Sequence, residues 1–305
     1  MSQIDTGRLL EGRRCVVTSG AHGLGFAVAR LFAEQGGILA VCGRSASGTQ
    51  AEAQLRETSP ESFFFRCDME DPEQVEAFAG AVLERFGGAD VIVNNVGIGN
   101  RGKLSQLALD DFDRVQQVNL RASVQLLRRL LPGMLERRRG SVVHIGSVNA
   151  TTPAPGTGSY SVSKGGVLSL SRVLAAEGGK YGVRSNVVSP GWIATSQIAR
   201  ELENASAAGI PPEEALERYH ETAPLMSPSR MGDIAAHALF FASDLSAYLT
   251  GCEVHADGGA VLQAHRCVFR EPEDAPEMRK AYYRTILKEL GLESETGKER
   301  EHGDL

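Results

Sequence analysis

Short, almost wholly apolar runs alternate along this chain with longer stretches of helical periodicity, and that alternation leaves few folds open. The runs are Arg14–Thr18 (RCVVT), Ile38–Cys42 (ILAVC), Ser62–Arg66 (SFFFR), Asp90–Asn94 (DVIVN), Ser141–Gly146 (SVVHIG), Arg184–Ser189 (RSNVVS) and Cys252–Ala256. A strand without polar alternation has to be covered on both faces, which demands parallel pairing and crossover helices. Helical periodicity fills the gaps at Phe26–Gln35, Pro72–Phe86, Asp110–Glu136 (two helices' worth) and Tyr160–Tyr181, and Gly36-Gly37 marks a helix end. The expected fold is α/β: one doubly wound domain over 1–262, a seven-stranded parallel sheet flanked by helices and built with right-handed crossovers. Such a sheet binds its ligand beyond the carboxyl ends of the strands.

Two segments break the rhythm. Residues 196–230 carry Pro211, Pro212, Pro224 and Pro228 and read as a lid or insertion. After 262 comes a C-terminal extension, 263–305. Met278, Tyr282, Ile286 and Leu290 predict one amphipathic helix over about 275–290, and 294–305 reads as a disordered tail. The stripe must find cover on its own subunit or on a neighbour.

A formal net charge of −6 argues against nucleic-acid and anionic-membrane surfaces. With no apolar window long enough to span a bilayer and no hydrophobic signal core, a cytoplasmic protein is expected. Five scattered cysteines and seven histidines show no metal-ligand spacing, so no metal is expected.

Between the first strand and the first helix lies Thr18-Ser-Gly-Ala-His-Gly-Leu-Gly25. Glycines at 20, 23 and 25 allow close backbone approach to a pyrophosphate, with helix N–H groups facing it; a plain tight turn is the other reading. After the second strand stands Cys42-Gly-Arg-Ser45, with no carboxylate to hold both ribose hydroxyls of NAD. Arg44, helped by His22, suits a 2′-phosphate and so NADP(H) over NAD(H); otherwise Arg44 is a solvated arginine and His22 a turn residue.

Ser147 follows the fifth strand, Tyr160 comes thirteen residues later at a helix start, and Lys164 lies one turn beyond on the same face. An ammonium beside the phenol, together with an oxidised nicotinamide, would lower the phenol's pKa and let Tyr160 exchange a proton with a substrate oxygen, with Ser147 bonded to that oxygen. A bare Tyr-x-x-x-Lys is also an ordinary surface pair.

These motifs together resemble the short-chain dehydrogenase/reductase family over about residues 10–262. Thr18–Gly25 is similar to its T-G-x-x-x-G-x-G turn, with Ser19 where the first glycine is usual. The resemblance implies a Rossmann-type fold and roles for further residues. Asp68 would contact adenine, Asn94-Asn95-Val96-Gly97 would stabilise the sheet near the ribose, and Asn119 would hold a water in the proton relay. Ile193 and Thr195, in Pro190-Gly-Trp-Ile-Ala-Thr195, would hold the carboxamide, and Asp257-Gly-Gly259 closes the last strand. The expected catalytic set is Asn119, Ser147, Tyr160 and Lys164. The expected cofactor set is Ser19, Gly20, His22, Gly23, Leu24, Gly25, Arg44, Ser45, Asp68, Met69, Asn95, Val96, Gly97, Tyr160, Lys164, Pro190, Gly191, Ile193 and Thr195. Ser147, Asn149, Tyr160 and Trp192 are expected to meet the substrate.

Trp192, Ile198, Leu202, Ile210, Leu225 and Met226 suit a bulky apolar substrate such as a hydroxysteroid, bile acid or polyketide, unless they simply pack the lid. A 3-oxoacyl-(acyl carrier protein) reductase is the alternative, with Arg137, Arg138 and Arg139 to dock an acidic carrier near the cleft. A non-catalytic NADP(H)-binding sensor or scaffold is a third reading, disfavoured by the complete tetrad. The resemblance further implies a homodimer or homotetramer.

Overall fold

The computed structural model describes residues 7–264 apart from 208, 221–222 and 226–227, together with 284–289 and 291. Seven strands are present: β1 (Arg14–Val17), β2 (Ile38–Gly43), β3 (Phe63–Arg66), β4 (Val91–Asn94), β5 (Gly140–Ile145), β6 (Val183–Pro190) and β7 (Glu253–Ala256). They form one sheet in the order β3-β2-β1-β4-β5-β6-β7, parallel throughout. Helices α1 (Gly23–Glu34), α2 (Gly48–Thr58), α3 (Pro72–Phe86), α4 (Leu109–Gln116), α5 (Ala122–Arg137) and α6 (Gly158–Gly178) connect the first six strands. Later come α7 (Ser196–Ala207), α8 (Pro212–His220) and α9 (Met231–Ala242). The fold is the expected Rossmann-type sheet.

Chain division follows contact density. One compact unit holds 1–191 and 229–257; the other holds 192–228 and 258–305. In the first, Val16, Ala40, Ile92 and Val142 project from neighbouring strands into a core with Phe78, Leu126, Leu130 and Met134 of α3 and α5, all fully buried. Burying each of the larger side chains stabilises by roughly 1.5–3 kcal/mol. Helix α3 begins where the Asp71 carboxylate accepts from Glu73 N (2.8 Å) and Gln74 N (3.3 Å), with Pro72 in its first turn, and it stops at Gly87, φ +66°. The starting ends of the central strands β1 and β4 are braced by Arg14, whose Nε and Nη2 donate to the Asp90 carboxylate at 2.8 and 2.6 Å. Burial works against ionisation of Asp90, but the bonds from Arg14 and the charge of Arg137 outweigh it and hold that carboxyl below the usual range.

One connection departs from the expected hand. Helices α5 and α6 cover the face shared with α3, whereas α9 packs against α1 on the other face. The step from β6 to β7 continues the direction of β4 to β5 to β6 with its helix on the opposite side, so it is left-handed. The right-handed rule describes a strand feeding a helix directly. Here the chain first passes through 192–228.

In the second unit, Ile198, Leu202, Ala215 and Leu216 from α7 and α8 form a small core with Leu287, and Trp192, Ala205 and Ile210 pack around it. Residues 284–289 are helical, with Ile286 and Leu287 buried. That stretch lies within the 275–290 expected to be helical, and its Leu287 joins the core formed by α7 and α8. The rest of 275–290, the tail 294–305 and Met226 lie outside the described residues.

Candidate active site

Beyond the carboxyl ends of β1, β2 and β3 lies a cavity of about 430 Å³. Ser19, His22, Arg44, Ser45, Asp68, Met69, Val96 and Gly97, all expected at the cofactor, line it. Tethers shape its floor. Thr18 Oγ1 accepts from Asn95 N (2.9 Å) and Val96 N (3.1 Å), while Asn95 Nδ2 donates to Thr18 O (3.0 Å). The chain leaving β4 is thereby clipped to the end of β1.

The glycines of the turn have separate reasons. Gly20 lies so close to β2 that a Cβ would sit 2.8 Å from Val41 Cγ1; one on Gly25 would meet the Ser19 carbonyl and come within 2.6 Å of Asn95 Nδ2. Gly23 needs its positive φ of +54° and faces open space. Ser19, where the resemblance led us to expect glycine, adopts that left-handed conformation itself, φ +53°, at a cost of about 1 kcal/mol. His22 is extended and caps α1 without a side-chain bond, and Leu24 lies in the first turn of that helix. A cradle of backbone that tolerates no Cβ at Gly20 or Gly25, at a helix N-terminus, fits the pyrophosphate of a nicotinamide dinucleotide.

At the rim, Arg44 Nη1 lies 3.7 Å from Asp68 Oδ2. The side chain of Arg44 is 60% exposed, so this pair is readily exchanged for another anion. Met69 is buried against the sulfurs of Cys42 and Cys67 at 3.9 and 3.8 Å. Cys67, Glu70, Ile98, Arg114 and Val118 also line the cavity. None was singled out as a cofactor contact in sequence. Val118 and Cys67 adjoin the motif residues Asn119 and Asp68, which is the one signal they carry.

Tyr160 and Lys164 occupy the first turns of α6, and Ser147 follows β5. Tyr160 and Ser147 are near enough for the serine hydroxyl to act on the phenol, and Ser147 Oγ accepts from Asn149 N (3.2 Å). Lys164 is buried, its Nζ donating to Ile145 O (2.8 Å) and standing 5.7 Å from the centre of the Tyr160 ring. Burial lowers the Lys164 ammonium to about 8. Burial also pushes the Tyr160 phenol above its ordinary value, opposed by the Ser147 bond. The expectation that the neighbouring ammonium lowers the phenol is not met by the protein's own groups: enclosure outweighs the pairing.

Asn119 sits in a π-helical turn, 117–121, between α4 and α5. It treats Ile98 as a strand would, accepting from Ile98 N and donating to Ile98 O, both at 2.8 Å, and it donates to Ser163 Oγ at 2.9 Å. Gly97 separates it from Lys164: a Cβ there would lie 3.3 Å from Nζ and 3.7 Å from Asn119 Oδ1. The four tetrad residues therefore gather at one strand end. Asn149 instead turns its carbonyl to Ala154 N (3.0 Å), shaping its own loop. Pro190 ends β6, and Gly191 fits closely against Asp257, where a Cβ would lie 3.0 Å from Cα. Trp192, Ile193 and Thr195 belong to the second unit, where Thr195 O accepts from Ala199 N at 3.1 Å.

Arg137, Arg138 and Arg139 precede β5, at the end of the sheet away from this cavity. Arg137 donates to Ala89 O (2.7 Å), Arg138 to Lys180 O (2.8 Å), and Arg139 pairs with Asp244 (3.6 Å). The expectation that they border the cleft is corrected: helix α5 runs the length of the sheet and delivers its last turn to the opposite edge. Among the described residues no group of three or more His, Cys, Asp or Glu is placed to hold a metal, and no helix is long and apolar enough to cross a membrane.

The family model described as Enoyl-(Acyl carrier protein) reductase matches residues 19–261. The chain belongs to the short-chain dehydrogenase/reductase family. Among relatives in that family, the D-threitol dehydrogenase of Mycolicibacterium smegmatis is 34% identical over 83% of this chain and 95% of its own length. The 3-oxoacyl-(acyl carrier protein) reductase of Vibrio cholerae is 31% identical over 83% and 99%. The L-sorbose reductase of Gluconobacter frateurii, solved with NADPH and L-sorbose, superposes with a TM-score of 0.80 at 28% identity, over 84% of this chain and 99% of that one. This short-chain dehydrogenase/reductase is an oxidoreductase of the alcohol dehydrogenase/ketoreductase class.

Proposed function

We propose that the chain is an NADP(H)-dependent oxidoreductase interconverting a secondary alcohol and a ketone, with Tyr160 as general acid/base. The observation that carries this reading is Tyr160 at the start of α6 beside Ser147, with the buried Lys164 Nζ 5.7 Å from the centre of its ring. Bound in the cradle, the nicotinamide dinucleotide supplies or accepts the hydride. Ser147 holds the substrate oxygen where the Tyr160 hydroxyl reaches it, so that the proton moves between that oxygen and the phenol as the carbinol carbon changes oxidation state. Lys164 orients the nucleotide ribose and stabilises the phenolate. Asn119 positions the segment 97–98 against Lys164.

Arg44, Ser45 and His22 on the rim, with no carboxylate following β2, support NADP(H) over NAD(H). The exposed Leu225 supports a bulky apolar ketone such as a ketosteroid, whereas Ile198 and Leu202 form, and Trp192 and Ile210 pack against, the second unit's own core. A second reading, 3-oxoacyl-(acyl carrier protein) reductase, is favoured by the Vibrio cholerae relative, though not by the three arginines. Steady-state rates at the nicotinamide absorbance, with a ketosteroid, a keto-sugar and an acetoacetyl thioester, separate these substrates. In the same assay Arg44→Asp lowers the NADPH-to-NADH efficiency ratio by roughly 10- to 100-fold. An unchanged ratio assigns the phosphate to another residue.

Val124 on α5 and Val162 and Val173 on α6 remain exposed, which supports a homodimer or homotetramer through these helices. Sedimentation of the full chain at micromolar concentration as a monomer would remove that assignment.

A further inference from the structure

An ion pair lines the cavity, its two residues coming from separate elements. Glu70 follows Asp68 and Met69 on the turn between β3 and α3, and Arg114 projects from α4; both line the cavity. Arg114 Nε donates to Glu70 Oε2 at 2.8 Å, and the bond to Glu70 raises the guanidinium's pKa. The carboxylate side is anchored, because Glu70 N donates to Asp68 Oδ1 at 3.0 Å and Asp71 caps α3 immediately after. The arginine side is carried one helical turn before Val118, which lines the same cavity.

We propose that Glu70 and Arg114 form a clasp across the mouth of the adenosine pocket, and that its opening sets the rate at which NADP(H) enters and leaves. The proposal rests on the reading of this cavity as the NADP(H) site. A pair with side chains 50% and 40% exposed contributes modestly at equilibrium, so the effect falls on exchange rather than on chemistry. Arg114 and Glu70 neutralise each other, so the closed clasp adds no net charge beside the 2′-phosphate. Arg44, held only loosely by Asp68 at 3.7 Å, is left to meet that phosphate.

The test is stopped-flow NADPH fluorescence, chasing bound NADPH with excess NADP+, on the full-length protein. Glu70→Gln and Arg114→Gln should each speed release by roughly three- to fivefold, and the double variant should do no more than either single. The charge-swapped pair, Glu70→Arg with Arg114→Glu, should restore slow release. High salt should speed release more in the parent than in the double variant, where only the phosphate contact of Arg44 is left to screen. Opposite effects of the two single changes, with NADPH held tighter in Glu70→Gln and looser in Arg114→Gln, would overturn the clasp in favour of plain electrostatics. Competition by 2′,5′-ADP separates the two levels of the argument. If 2′,5′-ADP displaces NADPH but the variants leave release unchanged, the clasp alone fails; if it does not displace NADPH, the cofactor reading fails and the clasp with it.

Discussion

Tyr160→Phe should lower turnover by about three orders of magnitude while leaving the Kd for NADP(H) within about twofold of the parent. The phenyl ring preserves packing at the start of α6, where a Cβ added at Gly99 would lie 3.4 Å from the ring. What is lost is the hydroxyl beside Ser147 and with it the proposed proton route. Burial pushes the phenol upward in the protein alone, so Lys164 and the bound nucleotide have to offset that enclosure when the phenolate forms. A variant keeping more than a tenth of parental turnover would take Tyr160 out of the reaction.

The second large effect is expected at Lys164. Lys164→Met keeps the length of the side chain and removes its charge, and turnover should fall by about two to three orders of magnitude. The buried ammonium titrates at about 8, so the pH–rate profile of the parent should break near 8. That break belongs to the Tyr160–Lys164 pair rather than to either group alone. In the variant it should vanish. Stability moves the other way. The amine's folded value lies below its unfolded value of about 10.4, so the unfolded chain binds more protons between the two and parental stability rises with pH across that window. The Tm of the variant should accordingly gain on the parent as pH falls from about 10 to 8 and hold that gain below 8. An unchanged pH–rate break, or a Tm difference that ignores pH, would contradict the burial of this charge.

Much of this architecture was legible because unbroken apolar runs such as ILAVC and DVIVN admit little besides buried parallel strands. Ser147, Tyr160 and Lys164 were legible as a set because one strand end and one helical turn fix their spacing. Other features depend on partners distant in sequence. Glu70 and Arg114 look like solvated charges until the fold brings the turn after β3 to Arg114 of α4. Ile198 and Leu202 carry an apolar signal that suits substrate or lid equally, and only the arrival of Leu287 decides it. The burial that raises the Tyr160 phenol in the protein alone was not legible, because spacing reveals a neighbouring charge and says nothing about how much water is excluded. The left-handed final crossover was hidden for a similar reason, since periodicity does not say which face a helix will cover.

The brace between Arg14 and Asp90 grips the strands at their starting ends, a full strand length from the hydroxyl and amine proposed to perform the reaction. Robustness and reactivity are thus written at opposite poles of the same strands. Directed evolution could harden one pole against heat or acid while leaving the other free to drift toward new substrates.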